Sequence, residues 1–183
     1  MGKKVRWSWT SALIGAATAA ATAAVIAGKP KDPSFQLISI SLTNMKLKCP
    51  VLDAELILTV HVTNPNIAPV HYSSATMSIF YDGGILGAAE IDAGSQSARS
   101  CQLLRIPARL SGLQLAHRVN KFMSDVARRE MVLDAAVDID GWARILWFNH
   151  RFKIHVDSHV VVDPVFLDVI DQENKSEMEL FLT

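Results

Sequence analysis

The sequence predicts a mainly β fold: a seven-stranded immunoglobulin- or fibronectin-like β-sandwich with one amphipathic α-helix, preceded by an N-terminal hydrophobic helix. Three observations carry this reading. About seven short runs alternate apolar and polar residues with a period of two. Asn-Pro-Asn, Asp-Gly-Gly and Pro-containing breaks separate several of them. One stretch, and only one after residue 30, changes to a period near 3.6.

The first run contains Phe35, Leu37, Ile40 and Leu42, whose register shifts once, as at a bulge. The next has the cleanest alternation. Leu56, Leu58, Val60 and Val62 fall on one face, and Glu55, Thr59, His61 and Thr63 on the other. A third run places Met77, Ile79 and Tyr81 together. Asp82-Gly83-Gly84 then reads as a hairpin turn, because Gly supplies positive φ without steric cost, and 85–91 returns from it. Another strand covers about 100–107.

The helical stripe follows: Leu115, Val119, Phe122 and Val126, widened by Met123. Ser111 and Gln114 have the spacing of a capping box, and Arg128 and Arg129 suit the negative end of a helix dipole, so the helix is predicted over 112–129. Three β-runs complete the domain. Leu133, Ala135, Val137 and Ile139 alternate with Asp134, Asp138 and Asp140. Leu146, Phe148, His150, Phe152, Ile154 and Val156 share a face, and a last run starting at 160–162 is interrupted by Pro164. The tail 171–183 is polar and expected to fray, with Met178–Leu182 able to dock.

The domain layout is therefore a basic cap (1–6), a transmembrane or targeting segment (7–28), a linker (29–34), the β-sandwich domain (35–170) and a polar tail (171–183). Residues 7–28 are uncharged and would span about 33 Å as a helix, enough for a bilayer core. Lys3, Lys4 and Arg6 precede them, and Trp7 and Trp9 sit where an interfacial belt would lie. The segment holds nine Ala but only Leu13, Ile14, Val25 and Ile26 as strong apolar aliphatics. A single-pass anchor in the plasma membrane or an endomembrane is one reading. A cleaved or organelle-targeting peptide, rich in Ser, Thr and Ala and free of acid, is another, as is a soluble Ala-rich helix.

Charge excludes a class of partner. The chain has 18 basic and 18 acidic residues, but five basic residues and no acidic one fall before Asp32, leaving a domain of net −5. Such a domain has no electrostatic reason to hold nucleic acid. Two cysteines, Cys49 and Cys101, lack metal spacing and are expected as free core thiols. His155 and His159 are four apart, which in a strand spans about 13 Å, too far to share one zinc. Asp138 and Asp140 could pair as acid and base, but opposite Val137 and Ile139 they read as a solvated face. No nucleophile elbow, Walker loop, dinucleotide fingerprint or zinc-protease motif occurs, so no enzyme and no cofactor are expected. Asn174-Lys175-Ser176 is a glycosylation sequon in the tail.

The most specific segment is Val62-Thr63-Asn64-Pro65-Asn66, followed by Val70-His71-Tyr72. Pro65 ends the ladder, and Asn64 and Asn66 can cap backbone groups in the turn. This segment, with Tyr81-Asp82-Gly83-Gly84-Ile85-Leu86-Gly87 and the opening Phe35-Gln36-Leu37-Ile38-Ser39-Ile40, resembles the water-stress and hypersensitive-response domain of plant group 2 late-embryogenesis-abundant proteins, which include harpin-induced-like membrane proteins. The likeness covers about 35–162. It implies a seven-stranded sandwich with one helix, no catalytic residue and no cofactor. It also implies stress-response or plant-defence association (desiccation, cold, pathogen), often from a single-pass N-terminal anchor. Asn64, Pro65, Asn66 and Tyr72 are the motif residues, read as a structural turn. The function expected is a non-enzymatic, membrane-tethered binding or protective protein with an unidentified lipid or protein partner. The alternative is a lipid-binding or lipid-transfer module using an apolar groove between sheet and helix.

Overall fold

The computed structural model describes residues 31–48, 51–112, 118–145 and 148–181. The predicted membrane or targeting segment 7–28 and Cys49 lie outside the described residues. One compact unit spans Asp32–Thr183. It contains β1 (Ser34–Lys48), β2 (Val51–Asn64), β3 (Val70–Tyr72), β4 (Ala75–Tyr81), β5 (Gly84–Ile91), β6 (Gly94–Gln96) and β7 (Ser100–Leu110), then helix α1 (Val119–Arg128), β8 (Met131–Ile145), β9 (Phe148–Val162) and β10 (Val169–Phe181).

The domain is mainly β with one short helix, as the alternation predicts, but its architecture is not two separate sheets of seven strands. All ten strands join one antiparallel sheet. Its main path is β1-β2-β7-β5-β4-β8-β9-β10, with β3 and β6 branching from β8. The path is pinched between β5 and β7, where only Gly87–Ala89 pair with Leu110–Ala108. The sheet curls, and its two ends meet where β1 comes beside β10. Two halves thus face each other, as in a sandwich, while remaining covalently and hydrogen-bonded neighbours. Three features were not legible as strands: the three-residue β3 and β6, too short for a period, and β10.

The tail correction is the largest. Residues 169–181 are not frayed but pair with β9 from Val169–Val162 to Phe181–Arg151. Gln172, Asn174, Ser176, Met178 and Leu180 face inward, while Asp171, Glu173, Lys175, Glu177 and Glu179 stay outside. A polar inward face hides the alternation from a reading based on hydrophobicity.

Inward side chains of β2, β7, β8 and β9 form the core. Leu56 and Leu58, Ile106 and Ala108, Val137 and Ile139, and Phe152, Ile154 and Val156 meet in one cluster. Each fully buried aliphatic side chain contributes about 1.5–3 kcal/mol. Tyr81, Leu86, Met131, Val160 and Val162 form a second cluster toward the helix end. Register shifts in β1 at Leu37/Ser39 and Leu42/Asn44 account for the broken alternation of that run. Cys101 is exposed and free rather than in the core. On β7 the inward residues are even-numbered from Gln102 to Ala108, so residue 101 must face out.

The helix is described from Val119, with no side-chain cap at Arg118; 113–117, and with them the predicted capping partner Gln114, lie outside the described residues. It is held mainly by polar contacts to the Asp82–Gly83 turn. Tyr81 Oη donates to Asp125 (2.7 Å), Arg118 Nη1 donates to the Tyr81 carbonyl (2.7 Å), and Arg118 and Lys121 pair with Asp82. Phe122 packs on the second cluster, whereas Val119 and Met123 are 52% and 60% exposed, so only part of the predicted stripe is covered. Arg129 ends the helix in the left-handed conformation (φ 58°), its amide donating to Val126. Its side chain is fixed by Asp163 (2.9 Å) and lies over the Phe166 ring. The turn at Asp82 (φ 49°) and Gly83 (φ 74°) has two consecutive positive-φ residues, which matches the twist of the strands it joins.

Gly141 stands opposite Phe152 across the β8–β9 ladder. A Cβ there would collide with the Phe152 ring and the His71 carbonyl. Gly141→Ala should therefore destabilise the domain by about 1–3 kcal/mol in urea unfolding. A variant with an unchanged midpoint would show that β3 and β8 yield freely at this crossing.

Candidate functional site: the apolar interior and its polar rim

The curled sheet does not fill its own interior. A cavity of about 150 Å³ lies between the halves, with a lining that is almost entirely apolar. Leu37 and Ile40 of β1, Val60 of β2, Leu104 of β7, Leu133 and Ala135 of β8 and Met178 of β10 border it and are only partly buried for that reason. No residue of α1 lines it. The apolar space is therefore inside the sheet and not in a groove between sheet and helix.

Amides and hydroxyls stand where β1 and β10 close the space. The Leu37 amide donates to Gln172 Oε1 (2.9 Å), and Asn174 Nδ2 donates to the Phe35 carbonyl (2.6 Å). Ser176 Oγ donates to the Pro33 carbonyl (2.7 Å), and the Met178 amide donates to Asp32 Oδ1 (3.1 Å). Pro33, just before β1, and Phe35 and Leu37 on it alternate at the same two-residue rhythm as Gln172, Asn174 and Ser176 along β10. Side chains thus substitute for a backbone ladder along this seam. Ser158 Oγ donates to Asn174 Oδ1 (2.6 Å), so both ends of that side-chain amide are engaged. The sequon asparagine stands on the half-buried face of β10, its nitrogen bonded to the Phe35 carbonyl, and not in an open tail.

The Asn-Pro-Asn corner lies at the end of β2. Asn64 is 1% exposed, among the most enclosed side chains of the described residues. Its Nδ2 donates to the carbonyls of Ala68 and Ser97 (3.0 Å each), and its Oδ1 accepts from the Asn66 amide (3.0 Å). The Asn66 carbonyl in turn accepts from the Arg99 amide (2.9 Å). One side chain therefore ties the corner to the loop before β7. Gln96, 4% exposed, adds a parallel tie by donating to the carbonyls of Val62 and Ser100. Tyr72 packs on the main core cluster, its ring close over Gly94 and its hydroxyl accepting from Gln102 Nε2 (3.4 Å). Pro65 follows the last ladder residue. Gln96, Gln172 and Ser158 were not singled out in the sequence. The amide–hydroxyl alternation of 172–176 was the available signal for one of them.

The candidate chemical groups are scattered outside. Asp138 and Asp140 lie on the solvent face of β8. Asp138 accepts from Lys153 (3.0 Å) and bonds His155 Nδ1 (2.7 Å), and His159 Nδ1 bonds Asp134 (2.7 Å). The hydrogen bond that His155 donates to Asp138, then the charge of Asp157, raises the His155 pKa above the ordinary imidazole value. His155 therefore adds a small stabilisation below its ordinary pKa that is lost as pH rises through the raised one, and its exposed position keeps it small. His155 and His159 thus bond different aspartates, and no group of side chains among the described residues could hold a metal ion. His150 faces inward opposite Ala143, with Nδ1 unpartnered among the described residues.

A curled antiparallel sheet with an apolar interior, an asparagine-tied corner and a side-chain seam defines a folded, mainly β domain. The family model for late embryogenesis abundant proteins matches residues 59–160, and the chain belongs to that family. The match runs from within β2 through the Asn-Pro-Asn corner, the β4–β5 hairpin and α1 to β9, leaving β1 and β10 outside it. Three solved structures are similar at low identity. A protein of Arabidopsis thaliana solved in solution shares 17% identity (TM-score 0.43, covering 83% of this chain and 82% of that one). A protein assigned to the late embryogenesis abundant class shares 13% (TM-score 0.35, 94% and 85%), and a protein from Archaeoglobus fulgidus seen in a crystal shares 14% (TM-score 0.36, 81% and 98%). No curated protein matches.

Asn64→Ala removes three hydrogen bonds and leaves buried carbonyls unpaired. It should cost about 2–3 kcal/mol and lower Tm by several degrees, with Asn66→Ala costing less. Thermal unfolding of the two variants beside the wild type checks this. Unchanged melting with a lost cellular phenotype would instead make the corner a binding surface.

Proposed function

We propose that this chain is a non-enzymatic stress-response protein that binds or stabilises its partners, held at a membrane by residues 7–28. The observation that carries the reading is the family match across the Asn-Pro-Asn corner. The fold is consistent with it: polar side chains on the inner rim are spent on backbone hydrogen bonds. Among the described residues no helix is long and apolar enough to cross a membrane, so tethering falls to 7–28. Two measurements test the proposal. Full-length protein should resist carbonate extraction from cell membranes; release into the soluble fraction, or a mature N-terminus near Ala27, would remove the anchor. The purified chain should also reduce aggregation of a freeze-labile enzyme through freeze–thaw cycles beyond an equal mass of albumin. Equal aggregation would remove the protective activity.

A second reading, binding of an apolar guest, is favoured by the interior cavity. At about 150 Å³ it is of the size that admits a benzene-sized guest. A long acyl chain would need more room, and the β1–β10 seam is where the wall has no backbone ladder to break. Ala135→Leu narrows the cavity from β8. Benzene used as a probe, followed by NMR shifts of the Leu104 and Met178 methyls, should bind the wild type and bind Ala135→Leu several-fold more weakly. Equal probe signal in both would exclude the cavity as the site.

A further inference from the structure

The strands bring a distinct set of side chains to the end of the domain where the chain enters. Asp32 and Pro33 lie beside Met178 and Ser176, near the end of β10. β8 leaves and β9 returns at this end, and the Asn64 corner and Arg99 meet there through the Asn66–Arg99 bond. On the outer face one cross-strand row reads His71, Trp142, Arg151, Phe181. The His71 ring stacks on the Trp142 indole (centroids 4.0 Å apart, 12° between planes), which fixes the indole while leaving it 41% exposed. Phe181 is 50% exposed and Ile67, in the corner, 51%. Arg99, Arg144 and Arg151 are exposed around them, and none is in an ion pair among the described residues. The row contains no acid. The nearest carboxylates on this outer face, Asp140 and Glu179, are one row back and flank Lys153, and Asp32, at the same end, accepts from the Met178 amide.

This arrangement runs against the charge of the domain. The domain is net acidic, yet this end gathers arginines around exposed aromatic and aliphatic groups. We propose that it is a membrane-docking surface for anionic lipid: Arg99, Arg144 and Arg151 meet headgroup phosphates and carboxylates, and Trp142, Phe181 and Ile67 enter the interface. Arginine matches phosphate geometry, an indole favours the boundary between headgroups and acyl chains, and the anionic leaflet attracts clustered basic side chains. The position adds an argument of its own. The segment 7–28 joins the domain at Asp32, so a tether there would bring this end toward the bilayer. The surface goes beyond the tether, since it belongs to the folded domain and would bind whether or not 7–28 inserts.

The test uses the full chain with Trp7, Trp9 and Trp147 each replaced by Phe, so that Trp142 is the single indole. It is mixed with phosphatidylcholine vesicles, with or without phosphatidylserine, carrying brominated acyl chains that quench nearby indoles. Quenching of Trp142 should appear with phosphatidylserine, weaken as salt is raised, and lose at least about tenfold in apparent affinity in Arg144→Glu/Arg151→Glu. Both arginines are on the solvent face, and a melting curve confirms that the variant folds; the salt and neutral-vesicle arms need no variant. Absence of quenching, equal quenching by neutral vesicles, or indifference to the charge reversal would overturn the proposal. So would a wild-type dimer in sedimentation that the reversal dissociates, which would make this end a contact between copies. Failure of the tether shows separately, as carbonate release with Trp142 quenching intact.

Discussion

A curled sheet must close or leave two rows of unpaired backbone groups, and here the closure is made by side chains. β1 has β2 along one edge, and Gln172, Asn174 and Ser176 reach its other side. Backbone donors and acceptors at the rim of an apolar space are costly when unmet, because water cannot serve them there. The β10 side chains meet that requirement without drawing the strands into a ladder. The same arrangement keeps the two halves of the sheet apart and leaves the interior incompletely filled. The cavity, the partial burial of Phe35, Leu37 and Met178, and the enclosure of Asn174 all follow from it.

The corner after β2 solves a related problem at one end of the domain. The chain leaves the sheet at Pro65 and re-enters at Val70, and the loop before β7 passes close by. Asn64 has two donor hydrogens and an acceptor oxygen on a short stem, so it can serve two carbonyls and an amide together. Aspartate lacks the donors, and glutamine has an extra methylene to place. The motif is thus explained by local hydrogen-bond arithmetic.

The two ends of the domain differ in how they treat charge. At the helix end, Asp82, Asp125 and Asp163 each answer a cation from α1 or its cap. At the chain-entry end, the arginines stand among exposed apolar groups without such answers. Neutralised charge at one end and exposed cationic character at the other make the domain a polar object, with one end suited to an anionic surface and the other to water.

Much of this was determined by the sequence alone. Alternation at 55–63 placed β2 with its inward face, Asp82-Gly83-Gly84 placed the hairpin, the changed period at 119–126 placed the helix, and Asn64-Pro65-Asn66 marked a structural corner. These are local matters: the period of a strand, the φ of a turn, the reach of one side chain. Tertiary structure decided the rest. It turned 171–181 from a frayed tail into the strand that closes the sheet, because an inward face of amides and hydroxyls is favourable only when a distant strand offers backbone groups to bond. It moved Cys101 to the surface through the register of β7 against β2. It put the apolar space inside the sheet and away from the helix, because the path β1-β2-β7-β5-β4-β8-β9-β10 turns back on itself. And it assembled His71, Trp142, Arg151 and Phe181 into one row from four strands, a juxtaposition that no spacing along the chain encodes.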